Sequence, residues 1–597
     1  MLRVAHLLLA VGVCSGGASA GEITGAELNQ PPSAERVAAI QADAAKQGWE
    51  AVAAQLRQTA VGLYERRSAQ AAGWYTLYRW ADLFSQSENQ AAARWGEIVE
   101  RSKAGYANRA ASSHGLDRPM GDFVPAELRT YLMGSQNFSD QFFGLLSPLD
   151  HPPMVLNTLM VLWRHNQADF KEYANLAIAI AVVYDILPPP AWPHRQVTPQ
   201  ALARGLFPPA DVFDFFIKSD RAGVLLQPLH TLAAAELKYV VDISANLDEL
   251  AWAQQTVQVP LAALDRVYSM IQYRQDRVNA GKLVWPLASY RLPEILQAGG
   301  ICVDQAYFAT MVGKAKGVPT LMFCGTGRDG KHAWFGYLDG SGHWQLDCGR
   351  YLYHDFVDGF AIDPQTWTVI SDHELKFLSE GFRQAPLFKT SRMHARFAEL
   401  YLEAGDNAAA SKAARMAANV ERRNLDAWNL LIKAQERLGT PPRQVEATLQ
   451  EAELAFKPYP DVEADFKRRF VSSLRSRGES SAADLVKRSV VHEDESEREN
   501  LNVQEAYDRM RASMDKDGVE GSIRTYYTVV NSYGRGAGID FFHQVVEPFV
   551  DYLLRNSRPY EAVQAVGRAR KVMRVEPNAQ LDVELGALAD RAQAELR

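Results

Sequence analysis

The spacing of apolar residues divides the chain into long helical stretches and one short region of strand pattern. Residues 47–93 carry apolar side chains every three or four positions, and proline-rich breaks at 150–153 and 188–190 interrupt later helical segments. The pattern predicts an N-terminal helical domain over residues 21–280. His194 and His230 are isolated within it, and an isolated histidine is more often structural than a ligand.

Residues 281–385 differ in character from the flanking sequence. One helical pattern starts at Cys302, and three short strand patterns follow at 318–324, 331–338 and 343–348. Asp339-Gly-Ser-Gly342 is typical of the turn of a β-hairpin. The region therefore predicts a small α+β core.

The sequence after Pro386 is helical again and repeats itself. Residues 393–405 match 428–439 at a 34-residue offset that places Gly405 on Gly439, Ala413 on Ala447 and Ala418 on Ala452. This is the period of tetratricopeptide-type helical hairpins. Weaker hairpins are expected through 461–487 and after Asp540, so residues 386–597 are predicted to form a C-terminal helical-repeat domain. The predicted fold class is mixed and mainly α.

Composition and charge narrow the classes of function. A formal net charge of -7 on 597 residues gives no electrostatic footprint for nucleic acid. Residues 1–20 resemble a secretory signal peptide ending in Ala18-Ser19-Ala20, which predicts an exported protein, periplasmic or secreted. Elsewhere the most apolar stretch, Ala174–Val183, is shorter than the roughly 20 residues needed to span a bilayer, so no membrane span is expected.

The candidate chemistry begins at Cys302. Gly299 and Gly300 precede it, and the helical pattern starts there, so the thiol is expected at a helix N-terminus, where the helix dipole favours a thiolate and lowers the pKa. A stripe of small residues at helical spacing would let a sheet pack closely against the cysteine's side of the helix; it comprises Ala306, Ala309 and Gly313.

A histidine and a carboxylate lie on the strands that would form that sheet. If Leu338 pairs with His343, strand alternation puts His332, Trp334 and Asp347 on one face. Trp334 then lies opposite Asp347, and His332 is its diagonal neighbour at roughly 7–8 Å. A thiol, an imidazole and an orienting carboxylate form the arrangement used for covalent catalysis.

Over residues 292–351 the chain resembles the core of the transglutaminase-like superfamily. The resemblance rests on Gly300-Ile-Cys302, Gly317-Val-Pro319, His332-Ala-Trp334 and Leu346-Asp347. It implies Cys302 as nucleophile, His332 as general base and then acid, and Asp347 as the group that orients the histidine. The backbone N–H of Cys302, Gln297 or Tyr290 would stabilise the oxyanion, and Trp334 is the candidate residue of the substrate cleft.

The resulting hypothesis is an exported cysteine-dependent acyl-transfer enzyme acting on amide bonds of a protein or peptide, by hydrolysis or transamidation. The alternative is a catalytically inactive transglutaminase-like protein that binds a protein partner through its helical repeats. Neither requires a cofactor. A metal site built from His343, Asp347, Cys348 and His354 is disfavoured, because alternation separates Cys348 from His343 and Asp347.

Two further motifs in this region have simpler explanations. Cys324 and Cys348 are expected on strands that flank a middle strand, about 9–10 Å apart and too far for a disulfide, so core thiols are favoured. The sequence from Gly325 to Gly330 matches the dinucleotide-binding fingerprint, but a strand follows it instead of a helix, so no nucleotide is expected.

Overall fold

The computed structural model describes residues 23–102, 115–327, 330–350, 358–483, 485–486, 499–535, 537–577 and 579–596. The predicted signal peptide, His354 and part of the glycine-rich turn between Gly325 and Gly330 lie outside these residues. Within them the chain is mainly α-helical, as the sequence predicts, and contains one five-stranded antiparallel sheet.

The N-terminal part is a set of packed helices joined by short turns. These helices are α1 (Ala34–Gln47), α2 (Trp49–Glu65), α3 (Ala71–Ser85), α4 (Glu88–Ser102), α5 (Ala126–Gly134), α6 (Gln136–Leu145), α7 (Pro152–His165), α8 (Gln167–Glu172), α9 (Ala174–Val183), α10 (Pro209–Arg221), α11 (Ala234–Val241), α12 (Leu247–Thr256), α13 (Arg266–Ser269) and α14 (Gln275–Asn279). α9 is apolar on every side, and Leu176–Val183 is fully buried at the centre of this part.

The α+β core follows, with a short helix α15 (Leu292–Ala298), the helix α16 (Cys302–Ala315) and the sheet. The strands are β1 (Thr320–Thr326), β2 (Lys331–Leu338), β3 (Trp344–Cys348), β4 (Asp358–Ile362) and β5 (Val369–Ser371), in the order β3-β2-β1-β4-β5. Helix α17 (Asp372–Leu378) comes after them. The three predicted strands are present, whereas β4 and β5 were not predicted from the sequence.

The predicted stripe of small residues does bring α16 close to the sheet. Ala306 and Ala309 are fully buried, and a Cβ added at Gly313 would lie only 2.4 Å from Cγ2 of Thr320 on β1. Only glycine therefore permits this distance between the helix and the first strand.

The predicted register of the β2–β3 hairpin is wrong. Leu338 pairs with Trp344 rather than His343, and the register shifts again between Phe335 and Tyr337, so that Phe335 lies opposite Cys348. A bulge of this kind adds a residue on one strand and turns the later side chains to new positions. Asp347 is therefore not placed opposite Trp334.

The C-terminal part consists of helical hairpins. Its first helices are α18 (Pro386–Glu403), α19 (Asn407–Val420), α20 (Leu425–Arg437), α21 (Pro442–Ala455) and α22 (Pro460–Ser476). After the next break come α23 (Glu499–Lys516), α24 (Gly518–Tyr533), α25 (Gly538–Phe541), α26 (Glu547–Arg555), α27 (Pro559–Met573) and α28 (Gln580–Ala594).

The 34-residue repeat is confirmed in α18–α21. Gly405 and Gly439 occupy the same turn with φ of 77° and 65°, a conformation that glycine adopts without strain. Ala418 and Ala452 are both buried between helices. The match is imperfect at the third pair, because Ala413 is buried but Ala447 is exposed.

Two clusters of buried apolar side chains hold the chain together. The first runs from Val37 to Ala483 and includes the N-terminal helices, the sheet and the first repeats, while the second runs from Val503 to Ala592. The two parts meet at the β1–β2 turn, where the N–H of Ile539 donates to the carbonyl of Gly327. The predicted domain boundaries at 280/281 and 385/386 stay predictions. No helix in the described ranges is both long and apolar enough to cross a membrane.

Candidate functional site

Cys302 is the first residue of α16, as the sequence predicts. Ile301 before it has an extended backbone, and Gly299 has a φ of 72°. The side chain is half-buried among apolar residues of the core and its thiol is free. The helix end and the glycines therefore place the sulfur between α16 and β2.

The surroundings of Cys302 do not favour the low pKa that the sequence predicts. Burial raises the pKa of the thiol, and the negative charge of Asp304 acts in the same direction. The backbone N–H groups of Ala333 and Val303 act in the opposite direction, but burial is the larger effect. The dipole of α16 does not compensate, because a neutral thiol is favoured in an apolar setting.

Asp304 organises the start of α16. One carboxylate oxygen accepts the N–H of Ile301 at 2.8 Å and pairs with Arg277 at 2.9 Å, and the other accepts the hydroxyl of Tyr290 at 2.8 Å. All three side chains of this network are buried. The pair is therefore a structural anchor that fixes the helix N-terminus one turn from the thiol.

This network gives Tyr290 a role other than the oxyanion stabiliser that the resemblance suggests. Its hydroxyl donates to Asp304, and the ring nitrogen Nε2 of His194 lies 3.0 Å from the same oxygen. Gln297 is exposed near the end of α15. Neither side chain is directed at Cys302 by a hydrogen bond in the described part of the chain.

His332 precedes Ala333 in β2, and the backbone N–H of Ala333 acts on the thiol of Cys302. The ring of His332 is buried and stacks at 6.0 Å on Trp334, with the edge of Tyr268 on another side. Nε2 lies 2.8 Å from the carbonyl oxygen of Gly349. Since a carbonyl only accepts, Nε2 carries a proton in this contact, and the neutral ring then has its lone pair on Nδ1.

Gly349 can orient His332 only because it is a glycine. Its φ is 90°, and an added Cβ would lie 2.6 Å from the ring of Tyr268. The hydroxyl of Tyr268 donates to the carbonyl of Ala333 at 2.8 Å, which ties this ring to β2. The backbone of Gly349 thus occupies the orienting position that the sequence assigns to Asp347.

Asp347 lies on the outside of the sheet. Its side chain is 69% exposed and pairs with Arg350 at 2.8 Å. Among the described residues its carboxylate makes no hydrogen bond to His332. The structure therefore brings Cys302 and the strand of His332 together but does not join Asp347 to them.

Trp334 fills the interior instead of lining an open cleft. It is 0% exposed, its indole N–H donates to the carbonyl of Leu346 at 2.8 Å, and Arg350 lies over its ring at 5.6 Å. Cys324 and Cys348 lie on β1 and β3, on either side of β2, as predicted. Cys348 is buried as expected of a core thiol, whereas Cys324 is exposed.

Besides Arg277–Asp304, two further buried ion pairs join the N-terminal helices to the core, and sequence reasoning missed both. Lys314 on α16 pairs with Asp242, and Lys238 on α11 pairs with Asp363 at 2.6 Å. The partners are 72 and 125 residues apart in sequence, so no local pattern indicates them. In the described ranges no group of three or more His, Cys, Asp or Glu side chains is arranged to hold a metal ion.

Comparisons with known proteins add little to this geometry. No protein-family model matches the chain, and no curated protein matches it. Among solved structures, the chain is similar to the crystal structure of the APC/C hetero-tetramer Cut9–Hcn1, with 11% identity over 94% of this chain and 96% of that one. The TM-score is 0.14, and a likeness of that size carries no argument about fold or function.

Proposed function

We propose that this protein binds a protein partner on its helical repeats, and that its transglutaminase-like core serves as a structural element. The observation that carries the proposal is the state of Cys302. Burial raises its pKa, and the carboxylate expected to complete a triad is paired with Arg350 on the outside of the sheet. A thiol in this state is a poor nucleophile.

The helical repeats have the exposed surface that binding of a protein partner requires. Stacked helical hairpins present extended surfaces that partners commonly use. Large apolar side chains remain exposed on these hairpins, among them Leu438 at 47% and Leu454 at 69%. The proposal places the protein outside the cytoplasm, as its first twenty residues predict.

Site-specific photo-crosslinking in the cells that make the protein tests the proposal. A photoreactive residue at Leu438 or Leu454 should give one discrete protein adduct, and Cys302→Ser should leave that adduct unchanged. The same residue at Leu187, which is 53% exposed but lies in the N-terminal part, is the matched control. An adduct that disappears with Cys302→Ser, or that forms equally at Leu187, would contradict binding through the repeats.

A second candidate function is acyl transfer at Cys302, and one observation favours it. The backbone N–H of Ala333 acts to lower the pKa of Cys302, and the adjacent His332 is oriented by the carbonyl of Gly349. In this reaction Nδ1 of His332 would take the thiol proton, the sulfur would attack an amide carbonyl, and the amine would leave with that proton. Water or a second amine would then release the acyl group.

A further inference from the structure

Four arginine side chains form a row between the N-terminal helices and the first repeat helix. Arg79 lies on α3 and Arg392 and Arg396 lie one turn apart on α18, while Arg383 lies in the 3-10 turn Gly381–Gln384 just before it. All four side chains are half-buried.

The guanidinium groups are close enough to influence one another. Burial lowers the pKa of Arg392 to about 10, and the positive charges of Arg396 and Arg383 contribute to that lowering. Burial also lowers the pKa of Arg396, and the charge of Arg79 acts in the same direction. Burial also acts to lower the pKa of Arg79, but Tyr75 and the carboxylates of Glu399 and Asp82 outweigh burial and raise that pKa. The repulsion between like charges therefore bears mainly on Arg392 and Arg396.

None of the four makes an ion pair within 4.0 Å in the part of the chain that the structure describes. Asp140, Glu399 and Asp426, which act on the row electrostatically, are exposed, and Asp82, which acts on Arg79, is half-buried. Among the described residues none of these carboxylates forms an ion pair with the row. Other half-buried arginines of the chain form ion pairs with carboxylates. Arg477 pairs with Glu446 at 2.9 Å, and Arg423 pairs with Glu421 at 2.9 Å.

Aromatic rings hold the row in position without neutralising it. Arg79 lies 4.8 Å over Phe143, Arg396 lies 5.8 Å over Tyr75, and Arg383 lies 4.5 Å over Phe377. A cation–π contact fixes the plane of a guanidinium but leaves its N–H groups able to donate at their edges. Arg79 also donates to the hydroxyl of Tyr75 at 3.1 Å and Arg383 to the carbonyl of Phe377 at 3.2 Å, whereas Arg392 and Arg396 make no hydrogen bond to the described residues. The remaining N–H groups of the row are directed donors that match carboxylate oxygens.

Gly144 on α6 makes the room for Arg392. A Cβ at this position would lie 3.0 Å from Nη2 of Arg392. Glycine inside a helix is less favourable than alanine. The space around this guanidinium is thus kept open at some cost to the stability of α6.

We propose that the row Arg79–Arg396–Arg392–Arg383 binds an acidic segment of the protein partner through bidentate hydrogen bonds to its carboxylates. This inference rests on the proposed function and assigns the chemistry of one contact surface. Nucleic acid is a less suitable ligand for two reasons. The net charge of the chain is -7, and the faces of the aromatic rings on which bases would stack are already covered by the guanidinium groups.

Fluorescence anisotropy with a labelled hexaglutamate peptide tests the assignment on the full chain. The double variant Arg392→Gln/Arg396→Gln should bind the peptide at least about tenfold more weakly than the wild type, since charge-assisted bidentate bonds are the strong ones. The control Arg468→Gln/Arg469→Gln removes the same charge from α22, where both side chains lie near Asp465. It should change the affinity by less than about twofold.

Three results would overturn the inference: equal weakening in both double variants, unchanged binding in both, or binding of inorganic phosphate without binding of the peptide. If the α18 variant does not fold, Arg79→Gln on α3 takes its place with the same expectation. The crosslinking at Leu438 and Leu454 is independent of this peptide. If the arginine row does not bind the acidic peptide but the partner does bind the repeats, the crosslink still forms. If the partner does not bind the repeats, no crosslink forms.

Discussion

At the residue scale, the clearest pH-dependent group is the carboxyl of Asp185. It is fully buried, one oxygen accepts the N–H of His151 at 2.5 Å, and the other has no hydrogen-bond partner among the residues that the structure describes. Burial raises its pKa well above the ordinary value, and the nearby Asp150 adds to that effect. The pKa of Asp150 itself is raised to about 7, again mainly by burial.

These raised pKa values set the sign of a pH effect. The folded chain holds protons that the unfolded chain releases above pH of about 4, so the free energy of unfolding falls as pH rises from there. Asp185→Asn keeps the hydrogen bond from His151 and removes one of the two titrating groups. Its stability relative to the wild type should rise with pH, by at most about 1.4 kcal/mol per unit.

Chemical denaturation of the wild type and Asp185→Asn between pH 5 and 8, followed by circular dichroism, measures this difference. Asp515→Asn on the exposed face of α23 is the control for the exchange of aspartate for asparagine, and the pH dependence of Asp185→Asn is compared with it. A stability difference for Asp185→Asn that does not vary with pH would mean that the buried carboxyl does not titrate as argued.

Residue types alone indicated part of the candidate site. The glycines before Cys302 and the helical pattern after it predict a thiol at a helix N-terminus, and the structure confirms this position. They could not predict its raised pKa, because that follows from burial against β2 and from Asp304, whose anchor Arg277 is 27 residues away in sequence. The role of the Gly349 carbonyl could not be predicted either. Every residue has a backbone carbonyl, and the sequence does not show which one accepts a hydrogen bond.

At the element scale, the contact between α16 and β1 depends on Gly313. Gly313→Ala would force a Cβ to within 2.4 Å of Thr320, and overpacking of this kind costs typically about 1–3 kcal/mol. Gly96→Ala on α4 is the matched control, because nothing lies within 4 Å of its Cβ position. That variant should gain about 0.5–1 kcal/mol, the usual advantage of alanine inside a helix.

Thermal or chemical unfolding of both variants distinguishes the two cases. A Gly313→Ala variant as stable as Gly96→Ala would show that α16 can move away from the sheet at little cost. The helix would then not fix the distance between Cys302 and β2.

Strand and helix positions were largely predictable, but their pairing was not. The strand pattern of residues 331–338 gives β2 with its observed bounds, and the 34-residue offset gives the first repeats. The β2–β3 register depends on a bulge between Phe335 and Tyr337 that the sequence does not indicate, so the predicted pairing is one residue out at Leu338 and two residues out at Phe335. Asp347 is therefore not opposite Trp334, and its side chain is 69% exposed.

At the scale of the whole molecule, helical hairpins and N-terminal helices share one apolar core with the sheet. The sheet region contacts both helical parts, through Lys238–Asp363 on one side and Ser371–Asp461 on the other. The second core of residues 503–592 contacts the β1–β2 turn. This arrangement suits a protein whose sheet holds binding surfaces in place. Whether the sheet also has a catalytic role depends on the charge state of Cys302.

The pH dependence of iodoacetamide labelling at Cys302, read by mass spectrometry in the wild type and in His332→Ala, tests the central claim most directly. A free cysteine-containing peptide in the same tube gives the reference rate. Because burial raises the pKa of Cys302, labelling should be slower than the reference at pH 6–8, and His332→Ala should leave it slow. Fast labelling at pH 6 that His332→Ala abolishes would demonstrate a thiolate–imidazolium pair, and the protein would then be a cysteine-dependent enzyme instead of a binding protein.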